Sequence, residues 1–157
     1  MKKITFLLMT LLIISCSSKS DYGVNNFNKS LTIWNGATKT FTKSDGSNPA
    51  SGANQDRLTS NVWITRGNEG GRIYNIAKES VANKTDSPIG TKWALGSISE
   101  LESLSFTNFQ TAVSDPKNAV GKSLVMFLEE DNIYLSVKFN SWNEGKESGF
   151  SYDRSSK

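Results

Sequence analysis

The stretch Ile133–Trp142, which reads Ile-Tyr-Leu-Ser-Val-Lys-Phe-Asn-Ser-Trp, alternates in polarity more regularly than any other part of the chain. This period of two predicts a half-buried β-strand. The same period places Trp142 on the polar side. A slip of one residue would turn the whole apolar face to water, so the register is strongly specified. The apolar face consists of Ile133, Leu135, Val137 and Phe139.

Shorter strand-like runs lie on both sides of this stretch, each bounded by Gly, Asn, Asp or Ser. Their β-branched and aromatic content predicts strands, and the bounding residues predict turns. The segments 61–66 and 72–77 are joined by a glycine-containing turn and are predicted to form a hairpin. The predicted strands around the central one are residues 31–34, 38–43, 61–66, 72–77, 92–95, 123–129 and 150–154.

Helix is best predicted at residues 107–113, with Thr107 or Asn108 as the N-cap, and residues 100–106 could form a strand or one helical turn. Many short strands without β-α-β spacing predict an all-β domain over residues 30–157, an antiparallel β-sandwich or jelly roll. The 157 residues suit one core of ordinary size.

The first sixteen residues have the composition of an export signal. Lys2 and Lys3 precede an apolar run at residues 4–14, which is too short to span a bilayer and has the length of a signal-peptide core. The run ends in Ser15 and Cys16, and this ending resembles the lipobox of bacterial lipoproteins. That resemblance implies cleavage after residue 15 and acylation of Cys16 by palmitate-like chains. Ser17 at the next position implies an outer-membrane destination.

The chain after Cys16 starts with a polar, Asn- and Ser-rich segment at residues 16–29, which is predicted to be a flexible tether. As an alternative, Tyr22, Val24 and Phe27 could form a first edge strand. The full chain has 18 basic and 15 acidic residues and a net charge of +3. Removal of residues 1–15 takes away two lysines and no acid, which leaves 16 − 15 = +1.

A second resemblance covers residues 34–155, in order along the chain. The segments that carry it are similar to an uncharacterised β domain of bacterial secreted and surface proteins, for which no activity is established. The loop at residues 144–149 is more charged and less glycine-rich than in that family. The matching segments are residues 54–59, 61–68, 70–71 with 73–75, 87–94, 131–135 with 138–139, 141–142, 149–152 and 154–155.

The composition excludes several mechanisms. The chain has no histidine and one cysteine, so it cannot form a Ser-His, Cys-His or histidine-metal site. Carboxylates are densest at Glu129, Glu130 and Asp131, but adjacent strand residues face opposite ways, and we interpret this cluster as a solvated turn. A carboxylate-based glycan hydrolase remains the alternative to a non-catalytic domain.

Four aromatic residues are candidate ligand contacts, for a glycan or a protein partner. The alternative is that they pack against the core or against loops. Trp34 and Trp93 are predicted core residues. The four candidates are Trp63, Tyr134, Trp142 and Tyr152.

A structural calcium ion is the only cofactor that the sequence suggests. Asp45, Asn48 and Asp56 supply oxygen ligands on one long predicted loop, although their spacing is not that of an EF-hand. Two alternatives remain open, namely a network of Asx turns and an Asp56–Arg57 pair that locks the loop. Basic residues are scattered, so a nucleic-acid partner is not expected.

These features together predict a lipid-anchored protein of the cell envelope, attached to the membrane through Cys16. Its β-sandwich is expected to bind a glycan or an envelope protein, or to be structural, without catalysis.

Overall fold

The computed structural model describes residues 30–147 and 149–157. The predicted signal peptide, Cys16 and the predicted tether lie outside these residues. Within them the chain forms one α-helix, α1 (Phe109–Val113), and 3₁₀ helices at Gly52–Asn54, Ile98–Ser103 and Pro116–Ala119. None of these helices is long and apolar enough to cross a membrane. The strands are β1 (Thr32–Trp34), β2 (Lys39–Lys43), β3 (Asp56–Arg57), β4 (Trp63–Arg66), β5 (Ile73–Asn75), β6 (Thr91–Leu95), β7 (Ser123–Leu128), β8 (Ile133–Trp142) and β9 (Phe150–Arg154).

The strands form two sheets, which confirms the all-β, sandwich-like prediction. Sheet A has the antiparallel order β2-β9-β8-β7-β6, and β1 pairs in parallel with the first half of β8. Sheet B has the order β3-β4-β5 and contains the predicted hairpin as β4 and β5. Strand β8 is central because it pairs with β7 on one side and with β9 and β1 on the other.

One hydrophobic core includes residues of both sheets. Ile64 and Ile73 of the smaller sheet, with Val62 just before β4, belong to the same buried cluster as Leu135 and Phe139 of β8. Trp34 and Trp93 are buried in it, as predicted. Helix α1 adds Phe109, whose ring centroid lies 4.9 Å from that of Trp93. Burial of apolar surface of this kind is the main favourable contribution to folding.

Helix α1 confirms the predicted helical segment. Asn108 is its N-cap, and the side-chain oxygen of Asn108 accepts a hydrogen bond from the backbone N–H of Thr111 at 2.8 Å. Phe109 and Val113 are buried, one turn apart on the same face.

The second half of β8 departs from strict alternation. The register with β9 shifts between Phe139 and Ser141, so Asn140 is an extra residue and forms a β-bulge. Since a bulge reverses the facing of the residues that follow, Trp142 pairs with the buried Phe150 and packs against the core. The prediction that Trp142 faces away from Phe139 is therefore wrong, whereas the alternation from Ile133 to Phe139 is confirmed.

The side of sheet A that faces away from sheet B is partly covered as well. Ala94 and Val125 point to this outer face, yet both are buried. The 3₁₀ helix Ile98–Ser103 contacts β7 and β8 there. Farther toward β1, Ile33, Tyr134 and Phe127 form one row across β1, β8 and β7.

Candidate functional site

The structure does not bring the four predicted aromatic contacts together. Tyr152 differs most from its predicted role. Its side chain is fully buried in the core. The hydroxyl group of Tyr152 donates a 2.7 Å hydrogen bond to Oδ2 of Asp56. No ligand can reach this ring without unfolding of the sandwich, so the expectation of a binding role for Tyr152 is replaced by a structural role.

Trp142 is half-buried at one end of the sandwich, and one of its faces is occupied by Arg66. The guanidinium carbon of Arg66 lies 4.0 Å from the ring centroid. Arg66 is itself buried and donates to the backbone oxygens of Gly71, Asn143 and Gly149. Because a stacked cation occupies this face of Trp142, a sugar ring cannot stack there.

Trp63 lies on sheet B, away from the other candidates. Its indole N–H donates to the backbone oxygen of Thr59 at 2.9 Å, and Arg57 lies over its ring at 4.3 Å. Arg57 also donates to the side chain of Gln55. The contacts of Trp63 and Arg57 thus stabilise the neighbouring loop.

Tyr134 is the one candidate among the four that lines a concave part of the outer face of sheet A. Its ring stacks on Phe127, with centroids 4.3 Å apart and an angle of 15° between the planes. Phe106 meets the same ring edge-on at 5.3 Å. The pair is held by the register of β7 and β8, which places the two residues opposite each other.

The residues predicted to bind calcium have other partners. Asp45 accepts hydrogen bonds from the side chain of Asn143 and the backbone N–H of Gly149, and these bonds lower its pKa. The side chain of Asn48 accepts from the backbone of Ala50, an Asx turn. Asp56 is buried and pairs with Arg154, not with Arg57. Among the described residues, no group of three or more Asp, Glu or Cys is arranged to hold a metal ion.

The acidic cluster 129–131 forms the turn between β7 and β8, as interpreted from the sequence. Glu130 forms an ion pair with Lys78, and Asp131 accepts hydrogen bonds from Thr59 and Asn61. The contacts of Asp131 tie the turn to the loop before β4, and the ion pair of Glu130 ties it to the segment after β5.

A large concave surface of the described residues lies on the outer face of sheet A beside β1, and we term it the apolar groove. It has a volume of about 830 Å³. Leu31 and Ile33 on its rim are 53% and 41% exposed, so two large aliphatic side chains lie at the surface next to each other. Its apolar lining consists of Leu31, Ile33, Ile98, Leu101, Leu104, Phe106 and Tyr134.

A second depression, the hydroxyl cleft, shares Ile98 with the apolar groove and has a volume of about 470 Å³. Lys138 and Asp153 face each other across β8 and β9 within it. Hydrogen bonds from Thr40 and Asn140 lower the pKa of the Asp153 carboxyl group, and the nearby Lys138 adds to this effect. Its hydroxyl-bearing residues are Thr38, Ser97, Ser123, Ser136 and Ser155.

Reasoning from sequence found Tyr134 but missed the aliphatic residues around it. Leu31 and Ile33 alternate with Thr32 and Trp34, a pattern that already places them on the side opposite Trp34. No pattern in the sequence indicates that residues 98–106 line the apolar groove, because the 3₁₀ helix there reaches the outer face only through the tertiary fold.

Comparisons with protein-family models, curated proteins and solved structures find no match for this chain.

Proposed function

We propose that this chain is a lipid-anchored protein of the cell envelope, and that its domain binds a protein partner through the apolar groove without catalysis. The lipobox-like sequence that ends at Cys16 supports the anchor. Acylation at Cys16 would attach the protein through two or three buried chains, which is enough for stable anchoring. The outer membrane is the proposed destination, because Ser17 follows the cysteine.

The exposure of Leu31 and Ile33 is the observation that supports the binding role. Aliphatic side chains that remain exposed next to Tyr134 and Phe106 form a continuous apolar patch with a concave floor. Such patches are typical of protein–protein contacts, since their burial by a partner is favourable.

A glycan ligand is less well supported than a protein partner. Trp142, Tyr152 and Trp63 do not form a common platform, and two of their rings are covered by arginine side chains. The hydrolase alternative requires two carboxylates that face each other across a sugar. Among the described residues, Asp153 is the single carboxylate that lines the hydroxyl cleft. Glu100 and Glu102 line the apolar groove, but both belong to the same 3₁₀ helix and so do not face each other across it.

The anchor is tested by Cys16→Ala in cells that produce the protein, with membrane fractionation and mass spectrometry. We expect loss of the acyl mass and retention of the uncleaved leader. Ser17→Ala is the matched control, and the protein should keep its lipid. An unaltered mass in the Cys16→Ala variant would remove the basis for the anchor.

The binding role is tested by a photo-crosslinking amino acid at position 33 of the full chain in cells. Ile33 lies on the rim of the apolar groove, whereas Val81 is an exposed aliphatic residue elsewhere and serves as the control position. We expect a discrete adduct from position 33 that disappears on protease treatment of the partner, and none from position 81. Equal labelling at both positions, or no adduct at position 33, would contradict the proposal.

A further inference from the structure

We propose that the outer edge of β1 accepts an extended segment of the partner protein as an additional strand of sheet A, and that this segment carries alternating apolar residues flanked by Lys or Arg. This inference rests on the proposed binding role of the apolar groove and specifies the chemistry of its occupant.

The first argument is the difference among the edges of sheet A. Strand β2, at one end, carries Lys39, and a charged side chain discourages pairing with another chain. Strand β6, at the other end, is covered where Trp93 and Thr107 exchange two backbone hydrogen bonds. Strand β1 pairs only with β8 among the described residues, and it has no charged side chain.

The second argument is the direction of the backbone groups of β1. The N–H of Thr32 donates to the backbone oxygen of Asn132, so the polar groups of Thr32 point toward β8. Because these groups alternate in direction along a strand, the N–H and C=O of Ile33 point to the opposite edge. They are placed to pair with an incoming strand, as in recognition of peptides by strand addition.

The third argument is the row of side chains on the outer face. Ile33 is aligned with Tyr134 and Phe127 across three strands. An added strand would continue this row, so every second side chain of the incoming segment would pack against Ile33 and Leu31. An alternating apolar pattern in the partner follows from this geometry.

The fourth argument is charge. Glu100 and Glu102 line the apolar groove, both are exposed, and no Lys or Arg is among the described residues that line it. Glu100 accepts a hydrogen bond from the N–H of Ser97 but remains a surface carboxylate. Flanking basic residues in the partner would be complementary to this rim and would favour correct encounter.

The test uses the full lipidated chain in detergent and the fluorescent peptide Lys-Val-Thr-Val-Thr-Val-Lys, with binding followed by anisotropy. Three altered peptides serve as probes: one with glutamates in place of the lysines, one with N-methyl groups on alternate amides along one edge, and one with N-methyl groups along the other. Ile33→Lys is the test variant and Val81→Lys is the matched control, since both substitute exposed aliphatic residues. Far-ultraviolet circular dichroism and thermal unfolding check that both variants fold.

We expect saturable binding that Ile33→Lys weakens by about tenfold and that Val81→Lys leaves unchanged. The glutamate-flanked peptide should bind about threefold more weakly, an effect that salt removes. N-methyl groups along one edge of the peptide should abolish binding, and N-methyl groups along the other edge should leave it intact. This difference is the signature of backbone pairing.

Equal binding of all the N-methylated peptides would overturn strand addition, and so would the absence of binding by the original peptide. Self-association of the chain that Ile33→Lys abolishes would also overturn it, since the occupant would then be a second copy. The two proposals can fail separately. If position 33 forms an adduct but the peptide does not bind, the partner docks in the groove in another way and only strand addition is wrong. If neither the adduct nor peptide binding is seen, the proposed binding role is wrong as well.

Discussion

Asp56 of β3 and Arg154 of β9 form a buried ion pair that joins the two sheets. The Nε and Nη2 groups of Arg154 donate to the two carboxylate oxygens of Asp56 at 2.6 and 2.8 Å. Both side chains are about nine-tenths buried, and the hydroxyl of Tyr152 donates to the same carboxylate. With three donors on one carboxylate, the buried charge is compensated.

Removal of one partner of this pair is expected to be costly. Asp56→Ala leaves the Arg154 guanidinium buried without a carboxylate, and should lower the free energy of unfolding by about 3–5 kcal/mol in urea denaturation. Glu144→Gln is the control, because Glu144 pairs with Lys117 at 3.5 Å on the surface. That variant should change stability by less than about 1 kcal/mol. Similar losses of unfolding free energy in both variants would mean that the buried ion pair stabilises the domain no more than the surface pair does.

Tyr152 is expected to make the folding stability of the domain depend on pH in the alkaline range. Burial, with the charge and hydrogen bond of Asp56, raises the pKa of the Tyr152 hydroxyl well above its ordinary value of 10.0. The folded state therefore holds this proton more tightly than the unfolded state. The contribution of this hydroxyl to the free energy of unfolding is fully present below pH 10. It is lost as the pH rises through the raised pKa of Tyr152 in the folded state.

The measurement is urea denaturation at a series of pH values from 8 upward. Above pH 10, wild-type stability should fall more steeply than that of Tyr152→Phe, by up to about 1.4 kcal/mol per pH unit. Parallel slopes for the two proteins would contradict this assignment.

Asn75 is a buried side chain whose amide satisfies four backbone groups. Its Oδ1 accepts from the N–H groups of Trp63 and Ala77, and its Nδ2 donates to the oxygens of Asn61 and Ile89. Asn75→Leu would leave these groups without partners and should cost about 3 kcal/mol or more by chemical denaturation. The exposed Asn118→Leu is the control, with a change within about 0.5 kcal/mol. A mild loss at Asn75 would mean that water replaces the amide.

Trp142 is expected to act through packing. Trp142→Ala removes ring contacts with Phe109, Phe139 and Phe150 and leaves Arg66 without its stacking partner. We expect a loss of about 3 kcal/mol by thermal or urea unfolding, and a smaller loss for Trp142→Phe. A fully stable Trp142→Ala protein would instead favour the original interpretation of an exposed ligand contact.

Local patterns were enough to predict the α-helix and every strand of the described residues except β3 (Asp56–Arg57), which lies where a loop is predicted. The alternation from Ile133 to Phe139 and the cap at Asn108 depend on neighbours within a few residues, and both are confirmed. The bulge at Asn140 could not be predicted in this way, because it is defined by the register against β9. That single extra residue reversed the facing of Trp142.

The candidate site was harder to predict than the fold. The sequence predicts Asp56 as a calcium ligand and does not indicate its partner Arg154, which lies 98 positions away. Tyr152 was considered for ligand contact because alternation gives two faces without saying which one meets the second sheet. Among the described residues that line the apolar groove, the sequence predicts a contact role for Tyr134 only, since the others converge there through tertiary packing.

The pairing of the first strands with the last ones has a consequence for the order of assembly. Thr32 of β1 pairs with Ile133, and Lys39 of β2 pairs with Arg154. Sheet A therefore cannot close until almost the whole chain is available, and loop closure over such distances makes folding slow. A chain that emerges gradually from its N-terminus would keep Leu31 and Ile33 without their neighbours until residues 98–134 have emerged. Sheet A therefore forms late in synthesis, after most of the chain has emerged.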